Sequence, residues 1–230
     1  TMPLTKDAVL IATATIGTTL APWGLSFIQS YVVDKRLTIK DMPYLRLDVW
    51  IGALLTGIIG FFVVVTCAAT LHKHGISING AADAAAALEP LAGKFATALF
   101  ATGLIGAALL AASILPLSTA YAVTDLTGQP AALDDKVREA PLFYGTFALV
   151  TLVSLAFVLI PGAPLVPILV LTQVLNAVLL LPLLAFMYGI ARDRKLMGEY
   201  TAGRTMAGGY IVAIVLIAIC IAALAIFSVL

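Results

Sequence analysis

The chain has 230 residues, of which 62% are hydrophobic and 11% charged, whereas a soluble domain carries about 25% charged residues. This composition excludes a water-soluble globular fold. The formal net charge is +1, and the basic residues are scattered among predicted loops without an aromatic stacking surface, which excludes a nucleic-acid partner.

Long stretches free of charged residues and histidine predict membrane-spanning helices, because about 20 apolar residues cross a hydrocarbon core of about 30 Å. The stretches are continuously apolar instead of alternating, which favours helices over barrel strands. The longest is divided by the turn-forming Pro161-Gly162-Ala163-Pro164. We therefore expect an all-α integral membrane protein of the cell membrane, with one multi-pass domain over 1–230 in contact with the lipid bilayer. The expected spans are about 8–33, 49–71, 95–124, 140–160, 165–191 and 205–230.

The basic residues predict the orientation of these spans, because cytoplasmic loops are enriched in Lys and Arg. Ten of the 13 follow the first, third and fifth spans: Lys35, Arg36, Lys40, Arg46, Lys136, Arg138, Arg192, Arg194, Lys195 and Arg204. The first span is therefore expected to enter from outside. A chain that begins outside, without an initiator methionine, is expected to be the second half of a longer transporter. The segment 72–94, between the second and third spans, is predicted to lie outside. It is Ala-rich around 81–88, which predicts a short surface helix there.

The first span carries Pro22 near its middle, between Gly17 and Gly24. Proline has no backbone N–H and clashes with the carbonyl four residues earlier, here that of Thr18. Helical hydrogen bonding is therefore predicted to fail between about Thr18 and Gly24. The freed carbonyls of Gly17, Thr18 and Thr19 are candidate cation ligands, since broken helices near the midplane form ion sites in many transporters. A proline kink stabilised by neighbouring helices is the alternative.

The fifth span has two amide side chains, Gln173 and Asn176, which share a helix face because they are three residues apart. Their oxygens suit a hard cation or its waters, and interhelical hydrogen bonding is the alternative role. Gln29, in the inner half of the first span, is a candidate lining residue of a cytoplasmic exit or a hydrated interface residue. Asp34 and Asp125 are predicted to be solvated helix ends.

The remaining cysteine and histidine side chains are predicted to have structural roles and no catalytic role. Cys67 and Cys220 each lie inside an apolar span without a CxxC motif, which predicts packing. His72 and His74 have no third ligand nearby in the sequence, so no catalytic metal centre is expected there. Since the spans contain no Asp, Glu, Lys, Arg or His, a membrane-embedded enzyme is excluded.

The broken span also carries a family resemblance. Gly17-Thr-Thr-Leu-Ala-Pro-Trp23 resembles the sixth helix of the NRAMP family of divalent-metal transporters, in which Met-Pro-His follows a Gly-Ala-Thr stretch. Leu171-Thr-Gln-Val-Leu175 is similar to the Gln-bearing tenth helix of that family. The resemblance implies helices six to eleven, which form the second inverted repeat of a LeuT-like fold plus one peripheral helix. It also implies a partner, the missing N-terminal half with its metal-binding aspartate.

The departures from the family pattern favour one branch. Ala21 stands where the family has a methionine, whose sulfur favours soft transition metals, and Trp23 and Ile28 stand where it has histidines. With the QSYVVDK run, this pattern is similar to the NRAMP-related magnesium transporters, which carry Mg²⁺ and Mn²⁺ without proton coupling. Mg²⁺ is hard and keeps several waters, so loss of the thioether makes room for a hydrated ion.

The resemblance therefore implies divalent metal ions as transported substrate, with no cofactor. The residues expected at the metal are Thr18, Ala21, Gln173 and Asn176, and those expected to line the cavity are Gly17, Thr19, Pro22, Trp23 and Gln29. The open alternatives are a proton-coupled Mn/Fe importer, a transporter of another small solute on the same fold, and a non-transporting membrane subunit.

Overall fold

The computed structural model describes residues 5–70, 85 and 93–229. The described residues form seven principal helices and no strand. The helices are α1 (Lys6–Thr19), α2 (Pro22–Asp34), α3 (Met42–Thr70), α4 (Ala96–Thr127), α5 (Pro141–Val158), α6 (Leu165–Arg192) and α7 (Arg204–Val229). Counting α1 and α2 as one interrupted span, six are long and apolar enough to cross a membrane, which confirms the predicted number. The predicted surface helix, apart from Ala85, and the pair His72 and His74 lie outside the described residues.

Helix ends depart from the predicted spans where charged residues continue a helix. The third helix begins at Met42, seven residues before the predicted span, and includes Arg46 and Asp48. Similarly, α4 continues through Asp125 and ends at a left-handed Gly128, whose φ is 66°. The charge-free stretches therefore predict the part of each helix that lies in lipid, whereas capping residues and glycines determine where the helix itself ends.

The interruption of the first span lies inside the predicted interval. Thr5 caps α1, with its Oγ1 accepting from the Ala8 amide at 3.3 Å. After Thr19 the backbone leaves the helical region, since Leu20 has φ −122° and ψ 68°. The next helix begins at Pro22. The missing N–H of proline costs no hydrogen bond at this first helical position, because an N–H there would have no partner within the helix.

The chain divides into two compact units, and the first comprises Thr1–Ile28 and Val158–Leu230. In it α1, α6 and α7 pack against one another. Its core consists of the buried Leu180 and Leu184 of α6 and Ile217 of α7, with Ile16 of α1 packed against them. Because of this packing, α6 is held against the helix that ends at the break.

The second unit comprises Gln29–Phe157. Its most buried large side chains are Tyr121 of α4 and Phe143 of α5, whose rings meet edge to face with centroids 4.9 Å apart. Such a pair stabilises the contact by about 0.5–1.5 kcal/mol beyond area burial. In contrast, α3 is almost wholly exposed, and Thr70 is the one residue of this described helix that is buried.

Candidate functional site

The break between α1 and α2 leaves backbone carbonyls without helical partners. Across it the Leu20 amide donates to the Ile16 carbonyl at 3.2 Å, and the Gly24 amide donates to the Ala21 carbonyl at 3.0 Å. Within the described residues, no backbone N–H donates to the carbonyls of residues 17–20. The end of α1 therefore presents a set of neutral oxygen atoms that are available to a cation.

The two helix ends at the break carry opposite partial charges. The carbonyl end of α1 is equivalent to roughly −0.5 elementary charge and the amide end of α2 to roughly +0.5. A cation is therefore stabilised beside α1, whereas water or an anionic group is stabilised beside the Trp23 amide. Ala21, half-buried between the two helices, contributes a methyl group and no donor atom.

Gly17 lies in direct backbone contact with α6. A Cβ at this position would overlap the Gln173 carbonyl oxygen and would lie 2.9 Å from the Ala177 amide nitrogen. Only a residue without a side chain allows the helices to come this close. The contact places the carbonyl end of α1 next to the turn of α6 that carries Gln173.

Gln173 and Asn176 share a face of α6, as their spacing predicts, and they bond to each other. The Asn176 Nδ2 donates to the Gln173 Oε1 at 3.0 Å, and both residues are half-buried. The bond orients the Gln173 amide and uses one of the two lone pairs of its oxygen. The other lone pair and the Asn176 Oδ1 remain as possible oxygen ligands.

The predicted residues at the end of α1 differ in their surroundings. The side chains of Thr18 and Thr19 are exposed, and the Thr19 hydroxyl donates to the Thr15 carbonyl at 2.7 Å. Pro22 is half-buried, and Trp23 is 38% exposed. The structure thus brings Gly17 and the Gln173–Asn176 pair together at one crossing. The other candidates of the first span lie within six residues of Gly17 along the chain, except Gln29.

Gln29 belongs to the second unit, where it lines a pocket of about 410 Å³. Asp34 and Asp125 line the same pocket, and each accepts a hydrogen bond. The Ser30 Oγ donates to Asp125 at 2.7 Å, and the Tyr121 Oη donates to Asp34 at 2.8 Å. The prediction of simple solvated helix ends was incomplete, because these donors lie 95 and 87 positions away in the sequence, beyond the reach of any local pattern.

The pocket beside Gln29 is lined by the carboxylates of Asp34, Asp125, Asp134 and Asp135, but they do not form a metal site. Among the described residues, no three His, Cys, Asp or Glu side chains lie close enough together to hold a metal ion. The oxygen atoms at the α1–α6 crossing are carbonyl and amide oxygens, which are hard and neutral. Ligands of this kind accept Mg²⁺, Ca²⁺ or Mn²⁺ more readily than soft metals.

Comparison with known proteins places this chain in a family. A search of curated proteins finds no match. The family model described as natural resistance-associated macrophage protein-like matches residues 1–227, nearly the whole chain. Members of that family are multi-pass membrane proteins that transport divalent metal ions and are not enzymes. With six apolar spans among its described residues, the first of them broken, the chain belongs to the NRAMP family.

Proposed function

We propose that this protein transports Mg²⁺, and also Mn²⁺, across the membrane by alternating access and without proton coupling. The observation that carries the proposal is the break at Leu20–Ala21, where unpaired carbonyls of α1 adjoin an alanine instead of a thioether. Broken helices of this kind form cation sites in secondary transporters.

The choice of Mg²⁺ follows from the donor set. A thioether selects soft metals, and Ala21 supplies none. Mg²⁺ dehydrates reluctantly and is held largely through its waters. Backbone carbonyls beside Gly17 and the amide oxygens of Gln173 and Asn176 can bind such waters, and the small Ala21 methyl leaves them room.

A dipositive ion also needs negative charge, which the neutral oxygens at this crossing do not supply. We place that charge on an aspartate of a further polypeptide segment, the N-terminal half of the NRAMP fold. On this proposal the α1–α6 crossing is one wall of the site, and the aspartate completes it from the opposite wall.

Absence of proton coupling is supported by the side chains of the broken span. Coupling needs a group whose protonation changes during the cycle, usually an intramembrane Asp, Glu or His. Trp23 and Ile28 stand where the family resemblance places histidines. Neither side chain titrates, so neither can relay a proton. The bulky indole of Trp23 shapes the cavity instead.

The test is metal uptake into proteoliposomes that contain the chain together with the aspartate-bearing segment and enclose a pH-sensitive dye, with the membrane potential set by a potassium gradient and valinomycin. We expect Mg²⁺ and Mn²⁺ uptake that rises with an inside-negative potential and leaves the internal pH unchanged. Internal acidification that scales with metal flux would contradict the proposal and favour the proton-coupled Mn/Fe importer. Absence of uptake at every potential would favour the non-transporting subunit.

A further inference from the structure

The second half of the broken span, α2, is anchored near its start, where Leu25 packs against the core of Leu180, Leu184 and Ile217. Helix α2 is joined to α1 through Leu20 and Ala21, and no backbone N–H of the described residues bonds to the carbonyls of 17–20. None of the 13 residues of α2, all of them described, is buried. Side-chain burial therefore does not fix the far end of α2, and the polar contacts at that end contribute to holding it.

That far end is tied to α4 by two side-chain hydrogen bonds. The Ser30 Oγ donates to the Asp125 Oδ2 at 2.7 Å, and the Tyr121 Oη donates to the Asp34 Oδ2 at 2.8 Å. In both bonds the acceptor is a carboxylate, and hydrogen bonds to charged groups are stronger than those between neutral groups. The bonds lie on the side that the basic residues predict to be cytoplasmic.

Of the two α4 partners, Tyr121 is buried, whereas Asp125 is exposed. Tyr121 is 1% exposed and packs edge to face on Phe143 of α5. The Asp34 Oδ2 also accepts from the Leu133 amide in the loop between α4 and α5, at 3.4 Å. A buried donor thus meets a carboxylate at the end of a helix without buried residues, beside a pocket of about 410 Å³.

We propose that the pairs Ser30–Asp125 and Tyr121–Asp34 form a latch that holds the C-terminal end of α2. Release of the latch lets α2 pivot at Leu20–Ala21. The role of this movement as a cytoplasmic gate rests on the proposed transport function, whereas the latch itself does not. Ser30 and Tyr121 are accordingly positioning residues, which act on the metal pathway through α2.

Hydrogen exchange on the full chain in lipid nanodiscs tests the latch without any metal flux. Ser30→Ala and Tyr121→Phe each delete one hydroxyl, and the second keeps the ring that packs on Phe143. We expect amides of residues 29–34 to exchange about tenfold faster in either variant, which corresponds to about 1.4 kcal/mol. Peptides of α6 serve as an internal reference and are expected to be unchanged.

Ser113→Ala is the matched control, because its hydroxyl donates to the Leu109 carbonyl within α4 and not to α2. Exchange of residues 29–34 should match that of the unmodified protein. Unchanged exchange in both Ser30→Ala and Tyr121→Phe, or equal acceleration in Ser113→Ala, would overturn the latch. Should Tyr121→Phe fail to fold, Ser30→Ala alone decides the question.

The gate is tested by locking the latch covalently. In a background without Cys67 and Cys220, Ser30→Cys and Asp125→Cys are combined and oxidised, and Mg²⁺ uptake is measured before and after reduction. We expect at least a tenfold loss of uptake in the cross-linked protein and recovery with reductant. Equal uptake in the oxidised, cross-linked and reduced forms would show that α2 need not move. No uptake in the unmodified protein would instead count against the proposed function.

Discussion

Replacing Gly17 by alanine tests whether the close approach of α1 and α6 positions the carbonyl end of the broken helix. The substitution adds one methyl group at a point where the neighbouring atoms belong to the backbone of α6. A flexible side chain could rotate away from the new methyl, whereas the Gln173 carbonyl and the Ala177 amide cannot. The two helices must therefore separate.

The required separation follows from the geometry. The new Cβ would lie 2.9 Å from the Ala177 nitrogen, whereas non-bonded heavy atoms settle at about 3.5–4.0 Å. The overlap with the Gln173 oxygen is larger still. The helices must move apart by roughly 0.6 Å or more, and overpacking of this kind costs about 1–3 kcal/mol. A displacement of about 1 Å at a positioned site can reduce its activity as much as roughly 100-fold.

The assay is Mg²⁺ uptake in proteoliposomes together with thermal unfolding in detergent. We expect Gly17→Ala to lower both uptake and the unfolding temperature. Gly189→Ala is the matched control on α6, because a Cβ there meets no described atom within 4 Å. Alanine favours a helix over glycine by about 1 kcal/mol, so the control should be at least as stable as the unmodified protein. Unchanged uptake and stability in Gly17→Ala would refute the contact and the position it gives to the α1 carbonyls.

Ala21→Met restores a soft ligand at the break, so competition titrations in proteoliposomes should show a higher relative affinity for Mn²⁺ or Cd²⁺ over Mg²⁺. An unchanged Mg²⁺ preference would remove Ala21 from the ion cavity. Asn176→Ala deletes the donor that orients Gln173; a membrane hydrogen bond of about 0.6–1.7 kcal/mol predicts a Mg²⁺ affinity loss of roughly 3- to 20-fold. The double variant with Gln173→Ala should lose more affinity than Gln173→Ala alone, because the Asn176 oxygen also binds waters of the ion in the proposed site; equal losses would show that Asn176 acts only by orienting Gln173. Leu180→Ala opens a cavity at a fully buried position and should destabilise the protein by about 2–5 kcal/mol in thermal unfolding, whereas Leu171→Ala, 66% exposed, should change stability little; equal effects would contradict the core described for α6.

Parts of the candidate site were predictable from sequence because they depend on local geometry. Pro22 lacks the N–H that would bond to the Thr18 carbonyl, whatever surrounds it. The break therefore falls at Leu20–Ala21, inside the predicted interval. Likewise, Gln173 and Asn176 share a face because the helix period brings residues three apart together. Whether these residues bind a metal is not decided by either feature, and their role remains a prediction.

The sequence by itself determined the six apolar spans of the described residues, because a segment in lipid must satisfy its backbone within a helix. It also determined the interruption of the first span, because Pro22 lacks a backbone N–H. Tertiary structure alone decided which helix meets Gly17, since the partner carbonyl at Gln173 is more than 150 residues away. It also decided that Asp34 and Asp125, which read as solvated helix ends, accept hydrogen bonds from Tyr121 and Ser30. Side-chain periodicity fixes which face of a helix a residue occupies, whereas the docking of helices from distant parts of the chain fixes what that face touches.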